Sequence, residues 1–441
     1  METDREVARI GQAVQRSLGV DLESLETAVR AAALAAGAKV LEALLEGVGA
    51  GRRQEAVRCA CGKAMDSRGL REKTVLTLLG EIRFSRSAYQ CPACANTRYP
   101  GDEELDVVKT RYSPGVRRLV ADFAGEVPFK RASQLLRAGA ALHISRKDCE
   151  RIAEGVGEDM ARWTSAERTR LRRAEPPPAH APKTLDTLYV EFDGTGVPMV
   201  AWELQGRKGK QPDGSAKTRE AKLGCVFTQT HFDEKQRPIR DPAATSFTGA
   251  IEPAAAFGWR IYAEARRRGL FEAQRVVVIT DGAQWIKNIV ETHFPNAIHI
   301  IDLYHAREHV MTLCRLLFDR NIKSLNRYKQ RWWDELDQGN VEKIVDEAKT
   351  FLPKDPHAAK DARGEIGYLE KNKQRMRYEQ FKAQGLFIGS GVVEAGCKNL
   401  IGQRLKQSAM EWTVQGANAI TTLRCIVQSG RFEEYWEQRT A

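Results

Sequence analysis

The sequence predicts an α/β protein whose C-terminal part is a sheet with covering helices. A cysteine-containing module and a helical region precede it. Three observations lead to this fold class. From residue 187 onward, strand-like stretches alternate with helical ones. Strand-like runs between residues 57 and 100 lie between two closely spaced cysteine pairs. Apolar residues at helical spacing dominate residues 112–165.

The composition is that of a globular protein with more than one domain. At 441 residues the chain suits two or three domains, and 42% apolar with 29% charged residues excludes a disordered chain. No run of eighteen apolar residues occurs, and the start METDREVARI lacks an apolar signal core, which together predict a cytosolic protein. The net charge of +11 favours polyanionic partners without naming one.

The N-terminal segment, residues 1–50, is predicted to be helical, and a zinc-ribbon-like module is predicted at 51–105. In this module Cys59 and Cys61 form a C-x-C pair, and Cys91 and Cys94 form a C-x-x-C pair. Two such pairs can supply four thiolates to tetrahedral zinc when the intervening strands bring them together. The alternative is a reduced cysteine cluster without metal, because the C-x-C pair is tighter than the usual spacing.

Residues 106–172 are predicted to be helical and to contain a turn around GAALHISRKDCE, with Ser145 capping the second helix. This pattern fits a helix-turn-helix that would place Arg146, Lys147 and Arg151 against DNA. It fits equally an ordinary helical hairpin with a solvated basic end. The proline-rich stretch RRAEPPPAHAPKTL predicts a linker at 173–185.

Residues 186–441 follow the element order of a ribonuclease H-like core. The predicted order is three strands, helix, strand, helix, strand and a final helix. The strands include TLYVEFDGTGVPMV, AKLGCVFTQTHF, TSFTGAI and QRVVVITDGAQW. About eighty charge-rich residues, 306–386, are predicted to form a helical insertion before the last core helix.

Two aspartates follow apolar strands of this predicted core. Asp193 lies in YVEFDGTG and Asp281 in VVVITDGAQW. Active sites of open α/β sheets lie at such strand ends, although an Asp-Gly pair after a strand is by itself usually only a turn.

Glu394, in GSGVVEAGCK, adds a third acid. In a helix over 391–406 it falls on the flank of the apolar stripe and therefore points toward the sheet. Glu394 has two alternative interpretations. Its negative charge could stabilise the helix N-terminus, or it could form an ion pair with Lys398. Three carboxylates from distant positions can hold two Mg²⁺ ions for phosphodiester chemistry. The stripe consists of Val393, Cys397, Leu400, Ile401 and Leu405.

Asp302 and His305 form a D-x-x-H unit directly after a predicted strand. One interpretation is a capping aspartate with a structural histidine. The other is that both residues support the metal ligands or contact the DNA near them.

These blocks closely resemble the ISKra family of bacterial insertion-sequence transposases. The resemblance rests on YVEFDGTGVPMV, VVVITDGAQWIKN, IIDLYHAREHV and NKQRMRYEQFKAQGLFIGSGVVEAGCKNLIGQRLKQSAMEWTVQGANAI, and it is strongest from residue 187 to the end. It implies a DDE transposase with a ribonuclease H-like domain that uses Mg²⁺ or Mn²⁺. Asp193, Asp281 and Glu394 match the family's acidic triad. The D-x-x-H unit and the insertion are similar to those of mutator- and hAT-like transposases.

The expected function is binding of the element ends, phosphodiester cleavage and joining of the freed 3′-OH to target DNA. Two DNA ends must be handled together, so we expect a homodimer or larger assembly on DNA, in the cytoplasm with the bacterial nucleoid. The alternatives are a ribonuclease H-like nuclease without strand transfer and a non-catalytic zinc-ribbon DNA-binding protein. Basic side chains in two stretches, which otherwise form a solvated helix face, are expected to neutralise DNA phosphates: Lys371, Lys373, Arg375, Arg377, Lys398, Arg404 and Lys406.

Overall fold

The computed structural model describes residues 21–48, 50–173, 185–209 and 211–440. The chain folds into two compact units that divide between Ala153 and Glu154. The predicted linker lies almost entirely outside the described residues, as does the first part of the predicted N-terminal helical segment. In the described ranges no helix has the length and apolarity that a membrane crossing would require.

The first unit contains a long helix, a three-stranded antiparallel sheet and a helical region. The two long strands pair from Asp66 opposite Gln90 to Thr77 opposite Gly80, with one shift of register between Ser67 and Leu70. Because β1 and β2 form an antiparallel hairpin, the cysteine pair before β1 and the pair after β2 lie at the same end of the hairpin. The elements are α1 (Leu22–Val48), β1 (Asp66–Thr77), β2 (Gly80–Gln90), β3 (Thr97–Arg98), α2 (Pro100–Glu104), α3 (Pro114–Glu126), α4 (Phe129–Ala140) and the first residues of α5 (Arg146–Arg172). The rest of α5, from Glu154 onward, belongs to the second unit.

The turn between α4 and α5 has the predicted cap. Ala141 adopts a left-handed conformation with φ of 55° and ends α4. The Ser145 Oγ accepts the backbone N–H of Asp148 at 3.0 Å and donates to the Asp148 carboxylate at 2.8 Å. The capping role of Ser145 is therefore confirmed, whereas the helix-turn-helix and plain-hairpin interpretations share this local geometry.

The second unit is built on a five-stranded mixed sheet with the order β10-β9-β4-β5-β8. Strand β4 is antiparallel to β5 and parallel to β9, β9 is parallel to β10, and β5 is antiparallel to β8. The elements up to the fifth strand of this sheet follow the predicted order: β4 (Leu185–Pro198), β5 (Thr218–Gln229), β6 (His231–Phe232), β7 (Pro238–Ile239), β8 (Ser246–Ala250), α6 (Ala254–Arg267), β9 (Ala273–Thr280), α7 (Gln284–His293) and β10 (Ile298–Ile301).

The predicted second strand is shorter than the sequence indicates. The apolar run extends to Phe232, but β5 ends at Gln229 because the Asp241 Oδ1 accepts the Thr230 backbone N–H at 3.0 Å. His231 and Phe232 pair with β7 instead and form a small separate hairpin.

Strand β4 is buried on both faces of the sheet. Leu188, Val190 and Phe192 point to the side covered by α6 and α7, where they join one apolar core. Tyr189 and Glu191 point to the opposite side and contact Phe387 and Val393. Because side chains alternate along a strand, Asp193 faces the same side as Glu191.

The predicted insertion is helical, and it precedes the helical segment that carries Glu394. The sequence predicted this segment to be the last element, which is wrong, because two more helices over Val414–Gln428 and Phe432–Thr440 follow it. This segment runs from Gly391 to Leu405 and contains a π-helical turn at Cys397–Gly402. The predicted apolar stripe is buried, with Val393 1% and Leu405 0% exposed. The helices are α8 (Leu303–Phe318), α9 (Ile322–Asp337), α10 (Val341–Thr350), α11 (Pro356–Asn372), α12 (Tyr378–Ala383), α13 (Gly391–Gly396), α14 (Gln403–Leu405), α15 (Val414–Gln428) and α16 (Phe432–Thr440).

Candidate functional site

Asp193, Asp281 and Asp302 lie at one level across the sheet. Asp281 and Asp302 directly follow β9 and β10, whereas Asp193 lies inside β4, which continues to Pro198 in pairing with β5. The expectation that Asp193 follows a strand is therefore wrong, because β5 extends the pairing of β4 beyond the level at which β9 ends. Glu191 pairs with Ile279, so Asp193 and Asp281 lie opposite each other two residues later. Thr280 pairs with Ile301, which sets Asp281 beside Asp302 in the same way. Parallel neighbours end at the same edge of a sheet, and this edge is where α/β proteins bind ligands.

Asp193 and Asp281 also make local hydrogen bonds that shape the strand ends. The Asp193 Oδ1 accepts the N–H of Gly194 at 2.6 Å, and the Asp281 Oδ1 accepts the N–H of Ala283 at 2.9 Å. Gly282 has φ of +82°, and a Cβ there would lie 2.7 Å from Ile301 Cδ1. The Asp-Gly turn is therefore real after β9, and it holds one oxygen of Asp281.

Asp302 is 1% exposed, and both of its carboxylate oxygens are used within the fold. One oxygen caps α8 by accepting the His305 backbone N–H at 2.7 Å. The other accepts the Ser390 backbone N–H at 2.6 Å and lies 3.1 Å from Ser390 Oγ. The capping interpretation is confirmed, and the same carboxylate ties the end of β10 to the start of α13.

Glu394 stands on the first turn of α13 above this edge. Its Oε1 lies 2.9 Å from Ser390 Oγ. The single Ser390 hydroxyl proton can therefore bond either Glu394 or Asp302 at one time. A Cβ on Gly396 would lie 3.0 Å from both Leu223 Cδ2 and Phe247 Cε1, so a glycine there lets the helix approach the sheet closely.

All five acidic and histidine residues predicted for this site line one open cleft of about 320 Å³. Burial raises the pKa of Asp193, and the nearby charges of Asp281 and Glu394 raise it further, against the lowering effects of the Gly194 N–H and His305. The cleft thus concentrates negative charge. Its predicted members are Asp193, Asp281, Asp302, His305 and Glu394, and the other lining residues include Phe192, Thr280, Tyr304, Glu308, Ser390 and Val393.

The donor chemistry of the cleft fits a hard divalent cation. Carboxylate oxygens are the ligands that Mg²⁺ prefers, and a cation would offset the repulsion that raises the pKa of Asp193. Within the described parts of the chain, the only set of three or more His, Cys, Asp or Glu ligand atoms all within 4.8 Å of one another is formed by four cysteines. The carboxylates therefore line an open cleft and do not form a closed cage.

Glu191 is a buried acid at this site that sequence reasoning missed. It is 0% exposed, its Oε2 accepts the Val393 backbone N–H at 2.9 Å, and burial raises its pKa to about 8. The bond links the centre of β4 to the first turn of α13. The signal in the sequence was the spacing of two between Glu191 and Asp193, which puts both on one face of a strand.

The four cysteines of the first unit form a closed cluster. Cys59 and Cys94 have sulfurs 3.5 Å apart, as do Cys61 and Cys91. Sulfurs that surround zinc tetrahedrally at about 2.3 Å are roughly 3.8 Å from one another, so the cluster has the size of a zinc site. The backbone N–H of Cys61 lowers the pKa of the Cys59 thiol to about 6, which favours the thiolate that a metal needs.

The predicted DNA-contacting residues divide into exposed and structural side chains. Arg404 is fully buried near the Trp412 ring, and Arg377 forms a two-pronged ion pair with Glu342. Lys373 lies 3.7 Å from the same glutamate, and Arg375 is half-buried. The exposed members are Arg146, Lys147, Arg151, Lys371, Lys398 and Lys406.

Three exposed lysines accompany the three acids of the predicted triad. Lys371 Nζ donates to Gln284 Oε1 at 3.0 Å, three residues after Asp281. Lys406 Nζ bonds Thr195 Oγ1, two residues after Asp193. Lys398 follows Glu394 by four residues in the same helical segment. Lys371 and Lys406 therefore contact residues two or three positions from predicted metal ligands.

The comparisons with known proteins give a partial match and a distant likeness. Residues 266–439, less than half of the chain, match an uncharacterised protein family, UPF0236. No curated protein matches the sequence. Among solved structures the chain is similar to the Drosophila P element transposase strand transfer complex, with 10% identity and a TM-score of 0.23 over 73% of this chain and 80% of that chain. A match of this extent leaves the family open, and a likeness at this TM-score does not define the fold.

Proposed function

We propose that the protein is a DDE transposase of the ISKra type. The observation that carries the proposal is the meeting of Asp193, Asp281 and Glu394 in one cleft, although they are 88 and 113 positions apart in sequence. Asp193 comes from within β4, Asp281 follows β9, and Glu394 comes from a helix that covers the same face of the sheet. This arrangement supports metal-dependent phosphodiester chemistry more specifically than any single acid does.

The sheet of the second unit supports a ribonuclease H-like core. Three antiparallel strands, β4, β5 and β8, are followed by two parallel strands, β9 and β10, which are added beside β4. The helical insertion then separates the last strand from α13. In the proposed domain organisation, residues 186–441 are catalytic, 51–105 form the zinc-ribbon-like module and 106–172 bind DNA.

In this proposal Asp193, Asp281 and Glu394 hold Mg²⁺ or Mn²⁺. When bound, such ions lower the pKa of a coordinated water and neutralise charge that develops on the phosphodiester. Asp302 supports the ligands, because it ties the turn after β10 to Ser390, which in turn contacts Glu394. Glu191 holds the first turn of α13 against β4.

The DNA backbone is proposed to pass beside the exposed lysines at the cleft. Lys371, Lys398 and Lys406 would neutralise phosphates there, and Arg146, Lys147 and Arg151 would do so on the first turns of α5. Arg377 and Arg404 are left out, because the first is held by Glu342 and the second is buried. Lys373 and Arg375 are secondary contacts. Because two ends must be joined, the active form is proposed to be a homodimer or larger assembly on DNA in the cytoplasm.

The test is a cleavage and joining assay with the full-length protein. The substrate is a labelled duplex taken from the DNA that flanks the reading frame, mixed with a target plasmid and Mg²⁺ or Mn²⁺. We expect cleavage and joining by the wild type, and a loss of about 10³-fold in both for Asp281→Asn and Glu394→Gln, which corresponds to roughly 4 kcal/mol of barrier. Asp346→Asn, which removes an exposed carboxylate on α10, is the matched control and should retain full activity.

Each other result has a definite meaning. Wild-type rates for either triad variant would contradict the triad. Cleavage without joining would establish the nuclease alternative. Absence of both activities, with no binding of Mn²⁺ or Mg²⁺ by calorimetry, would favour the non-catalytic DNA-binding alternative.

A further inference from the structure

A chain of hydrogen-bonding groups runs from the helical insertion into the acidic cleft. Glu365 Oε2 lies 2.6 Å from His309 Nδ1, and His309 Nε2 lies 3.2 Å from His305 Nε2. Glu365 is on α11, and both histidines are on α8, one turn apart. His305 lines the cleft, whereas His309 and Glu365 are not among the residues that line it.

Tyr368 packs against this series of hydrogen-bonded side chains and fixes it from one side. Its ring stacks on His309 with centroids 3.7 Å apart, and its hydroxyl donates to the Asp281 backbone carbonyl at 2.8 Å. Burial raises the pKa of Tyr368 far above its usual range, so the hydroxyl stays a donor. The histidine pair is therefore fixed to the strand end that carries Asp281.

The contacts limit where the ring protons can lie. A carboxylate accepts only, so His309 must donate to Glu365 from Nδ1. The Nε2 atom of a neutral His309 is then an acceptor, and only one proton fits between the two Nε2 atoms. His305 must supply that proton, which leaves its Nδ1 as an acceptor. Three acids lie near His305. Glu308 Oε2 lies 3.9 Å from His305 Nδ1, which is beyond hydrogen-bonding distance, Asp302 accepts the His305 backbone N–H, and Asp193 on β4 interacts with the ring through its charge.

We propose that Glu365 and His309 are positioning residues that hold His305 with its Nε2 protonated and its Nδ1 free to accept a hydrogen bond in the cleft. This deepens the proposed function and rests on it: the donor would be the water or the 3′-hydroxyl that attacks the phosphodiester. A carboxylate that orients one histidine so that another group acts through it is a recurrent arrangement in acid–base sites. Here both members of the orienting pair come from the insertion, His309 from the second turn of α8 and Glu365 from α11.

The first test reads the proton position directly. Full-length protein labelled with ¹⁵N in its eight histidines is studied by NMR at neutral pH, and the His305 signals are assigned by their loss in His305→Gln. We expect a protonated Nε2 and an unprotonated Nδ1 in the wild type. His309→Phe keeps a ring against Tyr368 but removes both nitrogens, so His305 should become a mixture of tautomers. Glu365→Gln should shift the same signals in the same direction by less.

The second test is the cleavage rate. His309→Phe should lower kcat about tenfold with little change in KM, because it removes orientation and not DNA contacts. Glu370→Gln is the matched control, because Glu370 lies on the same helix as Glu365 but forms an ion pair with Lys349 on α10. It should change neither the His305 signals nor the cleavage rate. A wild-type His305 with a protonated Nδ1, or an unchanged His305 tautomer in His309→Phe, would overturn the proposal. If the wild type cleaves no DNA, the proposed function fails, while the NMR result still decides the orientation.

Discussion

The cysteine cluster of the first unit and the carboxylate cleft of the second are both candidate metal sites, and they are built in opposite ways. The four sulfurs all lie within 4.8 Å of one another, and two of the cysteines are buried. The carboxylates line an open cleft of about 320 Å³. The first arrangement is typical of a structural metal, whose ligands enclose the ion. The second leaves room for water and substrate, as a catalytic metal requires.

The difference follows from where the ligands come from in the sequence. Cys59 and Cys94 are brought together by one hairpin, whose pairing returns the chain to its start. Asp193, Asp281 and Glu394 are brought together by strand order, register and the position of a helix beyond an insertion. A single hairpin holds the four sulfurs close together. Strand order and helix position leave the three acids on separate elements, and a bound metal ion can draw their carboxylates together.

Cys91→Ser is expected to have the largest effect. The wild type should contain about one zinc ion per chain, and the variant almost none, with the first unit unfolding because structural zinc contributes on the order of 10 kcal/mol. Metal analysis and circular dichroism provide the measurement. Cys149→Ser, at a buried thiol outside the cluster, is the control and should keep the metal. If the wild type contains no zinc and unfolds identically with and without chelator, the cysteine cluster is not a structural metal site.

Glu191 is expected to make the second unit less stable as pH rises. Its folded pKa of about 8 lies above the ordinary 4.5, so between these values the folded state binds more protons than the unfolded state. Stability from this group is fully present below about pH 4.5 and is lost as pH rises through 8, by a few kcal/mol at about 1.4 kcal/mol per pKa unit. Glu191→Gln should lack this loss.

The measurement is urea unfolding of wild type and Glu191→Gln at pH 5 and pH 8, without added divalent metal. We expect the wild type to lose more stability than the variant over this interval. Equal pH dependence in the two proteins would mean that Glu191 is already ionised in the fold and that its bond to Val393 belongs to a charged carboxylate.

The smallest effect is expected from a matched pair of glycines in the helical segment that carries Glu394. Gly396→Ala should destabilise by about 1 kcal/mol, because its Cβ would press on Leu223 and Phe247 at 3.0 Å. A Cβ on Gly391 meets nothing within 4 Å, so Gly391→Ala should be neutral or slightly stabilising. Thermal unfolding measures both. Equal melting temperatures would show that close approach of this helix to the sheet is not required.

The sequence predicted the element order well and the contacts poorly. The alternation of periods two and 3.6 indicated every strand of the five-stranded sheet, the insertion and the helix that carries Glu394, because each pattern depends on neighbouring residues. It wrongly made that helix the last element, since α15 and α16 follow it. The pattern predicted that β5 continues for three more residues, which belong to a separate hairpin. The Thr230 N–H instead donates to the Asp241 carboxylate, which is eleven positions further along the sequence and therefore outside the local pattern. The role of Asp302 was left open, because its second partner, Ser390, is 88 positions away.

By itself the sequence determined the two cysteine pairs around a hairpin, Asp281 directly after a strand and the apolar stripe beside Glu394, since all of these depend on local spacing. It placed Asp193 after a strand as well, but pairing with β5 carries β4 on to Pro198. Only the tertiary structure decided that β9 lies beside β4 in a register that sets Asp193 opposite Asp281. It also decided that Arg404 is buried, that Glu191 holds α13, and that Glu365 reaches His309. The physical reason is that register, burial and long-range hydrogen bonds depend on which surfaces pack together, and that choice is made by the whole chain.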